Sequence, residues 1–149
     1  MTDKTGYKYG GDFAFYVYRN GTQSISPLTH TVIQFNANYL DECNTCFSTT
    51  GYKITATKSG VYLFIGQVRN DTQIEYGDVF YMYITKNGGA IALDYREAPC
   101  DSYQTCNVQI LSYLDVGDYV QATVYHGYDG NINIMSGQNR TFFMGVKLN

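Results

Sequence analysis

Four cysteines stand in two local pairs, Cys43-x-x-Cys46 and Cys100 with Cys106, and thiols so spaced can serve three kinds of chemistry. A zinc site would need all four thiolates to converge at tetrahedral geometry. A thiol–disulfide exchange centre would need Cys43-x-x-Cys46 to open a helix whose N-terminus stabilises a thiolate, and no helical periodicity follows. Disulfides that staple loops in an oxidising compartment fit best, with the connectivity left open. The two histidines, His30 and His126, sit in no metal or nucleophile motif, one just before a strand and one at the end of another. Asp41 and Glu42 are adjacent, and neighbours on an extended chain point apart, so they make a poor acid–base pair. Asp78, Asp94, Asp101, Asp115, Asp118 and Asp129 all lie near turns and offer oxygen ligands for calcium. No dense Asp-x-Asp-x-Asp loop occurs, so a calcium site would have to assemble from several loops or subunits. Catalysis finds little support in this inventory, and the chain reads as a non-enzyme.

Binding finds more. Tyrosine supplies rigid contact area with a polar tip, useful against protein or sugar surfaces. The sequence gathers it with polar neighbours at Tyr39-Leu-Asp41-Glu42, at Tyr76, at Tyr103-Gln104, and at His126-Gly-Tyr128-Asp129. These segments fall between strands, where recognition residues usually sit. They form the candidate ligand-binding set, for a glycan or a protein receptor. The net charge is −3 and the basic residues are scattered, which argues against a nucleic-acid partner. No run of about 18 apolar residues exists, so membrane insertion is not expected. Sequons occur at Asn20, Asn70 and Asn139 and would be used only on a eukaryotic secretory route.

The elements that must position these residues are strands. With 16 Tyr, 8 Phe and many Val, Ile and Thr, the composition suits pleated, half-buried surfaces, and no amphipathic helix is visible. Turn signals such as Asn20-Gly21, Asn87-Gly88 and Gly117-Asp118 punctuate the chain. They delimit strands near 12–19, 31–36, 51–57, 60–69, 78–86, 89–95, 106–115, 117–126 and 140–148. Residues 1–10 read as a flexible lead-in, and residues 11–149 as a single domain. The segment 51–57 alternates, with Tyr52, Ile54 and Ala56 directed inward. Three other strands are apolar on both faces: Phe13-Ala-Phe-Tyr-Val-Tyr18, Val61-Tyr-Leu-Phe-Ile65 and Phe142-Phe-Met-Gly-Val146. A second dry face on several strands is larger than monomers usually expose, and it reads as a subunit interface.

The order of motifs resembles the globular head of the complement C1q family, within the tumour-necrosis-factor-like jelly rolls. Phe13 to Arg19 resembles its opening strand, and Val32-Ile-Gln-Phe-Asn36 its second segment. Thr50-Gly51, Ile54-Thr55 and Gly60-Val-Tyr-Leu-Phe64 resemble its most diagnostic stretch. Lys86-Asn87-Gly88, the run from Leu111 to Val120, and Phe143-Met-Gly-Val146 resemble its later hairpins and closing strand. The absence of Trp, and of a Pro before Gly60, marks a distant relative. The resemblance implies an all-β, ten-stranded antiparallel jelly-roll sandwich that assembles as a homotrimer around its first, third and last strands. The interface residues so implied are Phe13, Phe15, Val61, Leu63, Ile65, Phe142 and Met144. The resemblance implies a binding role without supplying a ligand, and the leading reading is a lectin-like or pattern-recognition head, extracellular or on a virion surface. A viral or phage attachment head and a cytokine-like receptor ligand are the alternatives.

Overall fold

A computed structural model describes residues 13–41 and 46–148. Every regular element among them is a strand: β1 (Ala14–Tyr18), β2 (Gln23–Ile25), β3 (Thr31–Val32), β4 (Ala37–Asp41), β5 (Phe47–Ser48), β6 (Lys53–Thr55) and β7 (Gly60–Arg69). They are followed by β8 (Val79–Lys86), β9 (Gly89–Glu97), β10 (Thr105–Leu114), β11 (Tyr119–His126), β12 (Ile132–Ile134) and β13 (Phe142–Lys147). The first sheet runs β10-β7-β13-β1-β4, and the second runs β5-β6-β11-β8-β9 with β3 also paired to β11. A ribbon of β12 and β2 closes one end. All pairings are antiparallel. This is the all-β jelly-roll sandwich expected, with extra short strands at its margins. The lead-in expected over residues 1–10 lies outside the described residues.

Strict alternation builds the core. Tyr62, Phe64 and Val68 of β7 face inward, opposite Phe80, Met82 and Ile84 of β8 and Val120, Ala122 and Val124 of β11. Burying one such side chain contributes about 1.5–3 kcal/mol. Phe13, Phe15, Phe64 and Phe143 pack edge-to-face or tilted, with centroids 5.3 to 6.2 Å apart. Phe13 and Phe15, expected on the outer interface, instead point into this core at 1% and 2% exposure. The outward positions of β1 are Ala14, Tyr16 and Tyr18, because the inward parity of a strand is fixed by its largest apolar residues.

Local chemistry explains the other differences from expectation. Asn87 and Gly88 both take positive φ, 49° and 86°, as a two-residue hairpin between β8 and β9 requires. Tyr52 has φ 49° and belongs to a turn, so the expected strand 51–57 shrinks to β6 and Tyr52 is not one of its inward residues. The segment expected as one strand over 31–36 gives only β3, and the chain then continues as the unforeseen edge strand β4.

Gly145 lies between Phe15 on β1 and Phe64 on β7 in the strand register. A Cβ there would stand 2.6 Å from the Phe15 ring and 2.7 Å from the Phe64 ring. At Gly66 the nearest obstacle is the terminal methyl of Met82, at 2.5 Å, which can swing aside. Gly145→Ala should therefore lower unfolding free energy by about 1–3 kcal/mol, as overpacking does. Gly66→Ala should cost less, and urea denaturation of both variants checks the order.

Candidate functional site

Two loops at one end of the sandwich are sewn together. Ile74 and Ser102 exchange backbone hydrogen bonds of 3.0 and 2.9 Å. The Gln73 side-chain amide donates to the Asp101 carbonyl at 3.1 Å, and the Tyr76 N–H donates to Asp101 Oδ1 at 3.2 Å. Asp78 Oδ2 accepts from the Glu75 N–H, while Gly77 and Ala98 tie the base through backbone bonds. The result is a ledge that holds Tyr76 and Tyr103 outward, 77% and 52% exposed. Asn70 pegs it from beneath. Its Oδ1 accepts from the Gln104 N–H at 2.8 Å, its own N–H donates to the Gln104 carbonyl, and the residue is fully buried. The Asn70 sequon is thus enclosed in the fold, whereas Asn20 and Asn139 are exposed.

The remaining candidates divide by location. Tyr128 is half-buried against the core, with its ring beside Gly130, and Asp129 is exposed next to it. His126 is not at the surface at all. It is fully buried, and Nε2 lies 3.0 Å from the Ile25 carbonyl, which assigns the proton to Nε2 and leaves Nδ1 without a partner. Strict alternation along β11 puts it on the core side, two residues after Val124. Tyr39 and Asp41 lie on β4, the edge of the other sheet, where Tyr39 packs at 5.7 Å on Tyr16. They do not share the ledge. Glu42 and Cys43 lie outside the described residues.

Cys100 and Cys106 are free thiols, one exposed and one buried, so neither joins the disulfides expected among the four cysteines. Cys106 faces the core on β10, with Sγ 3.5 Å from the Phe80 carbonyl; burial, with Asp94 nearby, pushes its thiol up to about 12. A thiol so held is inert. Cys46 is buried.

Four of the acidic residues near turns, Asp78, Asp94, Asp101 and Asp118, use their carboxylates to hold loop or strand backbone. Asp94 Oδ2 receives Arg96 and the Asn107 N–H. Asp118 receives Asn87 Nδ2 at 2.8 Å, the Asp115 N–H at 2.9 Å and Lys86 Nζ at 3.1 Å. Among the described residues no group of three or more His, Cys, Asp or Glu could hold a metal ion.

Two surfaces remain. The outer face of the first sheet carries Val61, Leu63 and Ile65 of β7, Phe142, Met144 and Val146 of β13, and Tyr16 of β1. Leu111 and Tyr113 on β10 extend it and are more than half exposed. A shallow apolar hollow of about 250 Å³ lies among Ala14, Leu40, Leu63 and Val146. The outer face of the second sheet carries a tyrosine row absent from the sequence-based candidates. Tyr95, Tyr81 and Tyr125 stand in register on β9, β8 and β11, with His30 beside them. The readable signal was Phe80-Tyr-Met-Tyr-Ile84, whose alternation sends both tyrosines to one face.

No protein-family model and no curated protein sequence matches the chain. Solved structures do match its fold. Eiger TNF from S. frugiperda superposes with a TM-score of 0.68 at 15% identity, covering 91% of this chain and 92% of that one. The globular domain of zebrafish complement 1qA gives 0.66 at 17% identity, over 91% and 97% of the two chains. Murine APRIL gives 0.68 at 17%, over 91% and 98%. The chain therefore has the jelly-roll fold of C1q and tumour-necrosis-factor globular heads.

The Asp118 network yields a pH signature. Its contacts with Asn87, the Asp115 N–H and Lys86 lower its carboxyl from 3.8 to about 2. The folded form prefers the carboxylate, so the stabilisation is complete above the ordinary value and is lost as pH falls through the lowered one. Melting curves of the protein and of Asp118→Asn should differ at pH 6 and converge as pH approaches about 2.

Proposed function

We propose that this chain is a non-catalytic recognition head that works as a homotrimer and acts outside the cell. The observation that carries the reading is the apolar outer face of the first sheet. Two adjacent inner strands of that sheet, β7 and β13, present Val61, Leu63, Ile65, Phe142, Met144 and Val146 away from the core. These six side chains are half-buried in the single subunit and Leu111 and Tyr113 beside them are more than half exposed, and hydrophobic burial between like faces would remove the apolar area left in water. A threefold arrangement is what the likeness to C1q and tumour-necrosis-factor heads implies. Among the described residues no helix is long and apolar enough to cross a membrane.

Ligand recognition, on this reading, falls to the ledge of Tyr76, Tyr103 and Gln104 and to Tyr128 and Asp129 on the loop after β11, which is tied to the start of β8 by the Gly127 N–H and the Val79 carbonyl. The cross-bonded base keeps the ledge rigid, which limits the entropy lost on binding. The ligand is a glycan or a protein. A cytokine-like protein ligand has its own support in the likeness to Eiger TNF and murine APRIL.

Leu63→Asp should convert the trimer to folded monomer, read by light scattering together with circular dichroism. A folded variant that remains trimeric removes β7 from the interface. Tyr76→Ala and Tyr103→Ala should keep assembly and weaken binding to whichever ligand is found by glycan array or by pull-down of host surface proteins. Unchanged affinity in both variants removes the ledge from the site.

A further inference from the structure

The tyrosine row on the second sheet is a second surface, separate from the loops and built on strands. Tyr81 stacks on Tyr125 with ring centroids 4.8 Å apart and planes 22° from parallel. On its other side it stacks on Tyr95 at 5.8 Å and 26°. His30 continues the row, 4.8 Å from Tyr125, and its Nδ1 meets the Tyr83 hydroxyl at 2.5 Å. Phe80, Met82, Val124 and His126 are buried, so the alternating tyrosines necessarily stand on the opposite, solvent-facing side. Leu93 and Tyr95 on the edge strand β9 are 58% and 51% exposed.

Within the row each ring face covers the next, so the row presents ring edges and phenol hydroxyls. Tyr95 differs, because β9 is the last hydrogen-bonded strand of its sheet and, although β10 packs beside it, the Tyr95 side chain stays 51% exposed. Tyr95, with Leu93, is an apolar step beside a line of hydroxyls. Burial and the neighbouring tyrosines raise the Tyr81 phenol, and burial with Tyr81 raises that of Tyr83, so both stay neutral. Charge is scarce here. Lys53 is engaged over the Tyr119 ring at 4.8 Å, and Arg96 and Asp94 pair with each other at 3.0 Å. Glu97 sits at the end of β9, beyond Tyr95. Among the described residues Lys53 and Arg96 are thus both engaged, which disfavours an anionic partner along the row.

A neutral polyhydroxylated chain fits these features. The C–H face of a hexose is apolar and suits the Tyr95–Leu93 step, while its hydroxyls can exchange hydrogen bonds with the phenols and His30. We propose that this face binds neutral hexose oligosaccharides, centred on Tyr81, Tyr95 and Leu93. The proposal rests on the recognition-head reading only in that a first-sheet interface leaves the second-sheet face in solvent.

The test is an array of neutral gluco-, manno- and galacto-oligosaccharides beside sialylated and sulfated ones, probed with the full chain. Retention on neutral probes is expected. Tyr95→Ala should weaken it about tenfold, in line with the loss of one aromatic contact. Leu93→Ser, an exposed edge change with little risk to folding, should weaken it as well, and Tyr95→Phe should lie between Tyr95→Ala and the unaltered protein. Silence across the neutral probes, preference for charged ones, or unchanged binding by folded Tyr95→Ala and Leu93→Ser overturns the proposal. Light scattering on the same samples separates the two ideas. Monomers that still bind neutral glycans through Tyr95 would sink the trimer and keep this site.

Discussion

The close approach of Phe15 and Phe64 over Gly145 is the constraint from which the rest of the molecule follows. Three neighbouring strands of the first sheet meet there, and two aromatic rings occupy the space that a side chain on the third would fill. Because side chains alternate, fixing Phe15 and Phe64 inward fixes Tyr16, Leu63, Ile65, Met144 and Val146 outward. The dry outer face is thus a by-product of core packing as much as a surface in its own right. No change of register could hide it without exposing the aromatic core.

Periodicity made the long strands readable. β7 occupies the span the sequence suggests, and β8, β10, β11 and β13 deviate by a residue or two, because each is a long run of alternating or doubly apolar residues between clear turn signals. Short strands were not readable. β2, β5 and β12 have two or three residues each, too few to show a period, and they form because longer neighbours offer unpaired backbone. Phe13 and Phe15 illustrate a different loss. A strand apolar on both faces does not say which parity is inward, and size decided it here. The same ambiguity hid His126, whose polar side chain suggested a loop although its parity on β11 placed it in the core. The pairing of Ile74 with Ser102 was beyond reach for another reason: residues far apart in the chain meet only once the sandwich has closed.

Tyrosine serves three separate purposes in this protein, and composition alone merges them. Tyr62 is fully buried and donates its hydroxyl to the Lys58 carbonyl, so it is a core residue with a satisfied polar tip. Tyr76 and Tyr103 are loop residues held out by a bonded base. Tyr81, Tyr95 and Tyr125 are cross-strand neighbours whose stacking also stabilises the second sheet. Only the strand register tells these apart, which is why the loop tyrosines were legible as candidates and the sheet tyrosines were not.

The position of β13 bears on how the chain comes to be folded. It lies between β1 and β7 in the first sheet, and both of those precede it by more than half the sequence. A nascent chain emerging from the ribosome can close the β8–β9 hairpin early, but its first sheet stays split until the last strand arrives. Until then β1 and β7 present unpaired edges and apolar faces to the cytosol or to a translocation channel. Completing the first sheet is therefore an insertion step, and the chain is most vulnerable to aggregation just before that strand is available.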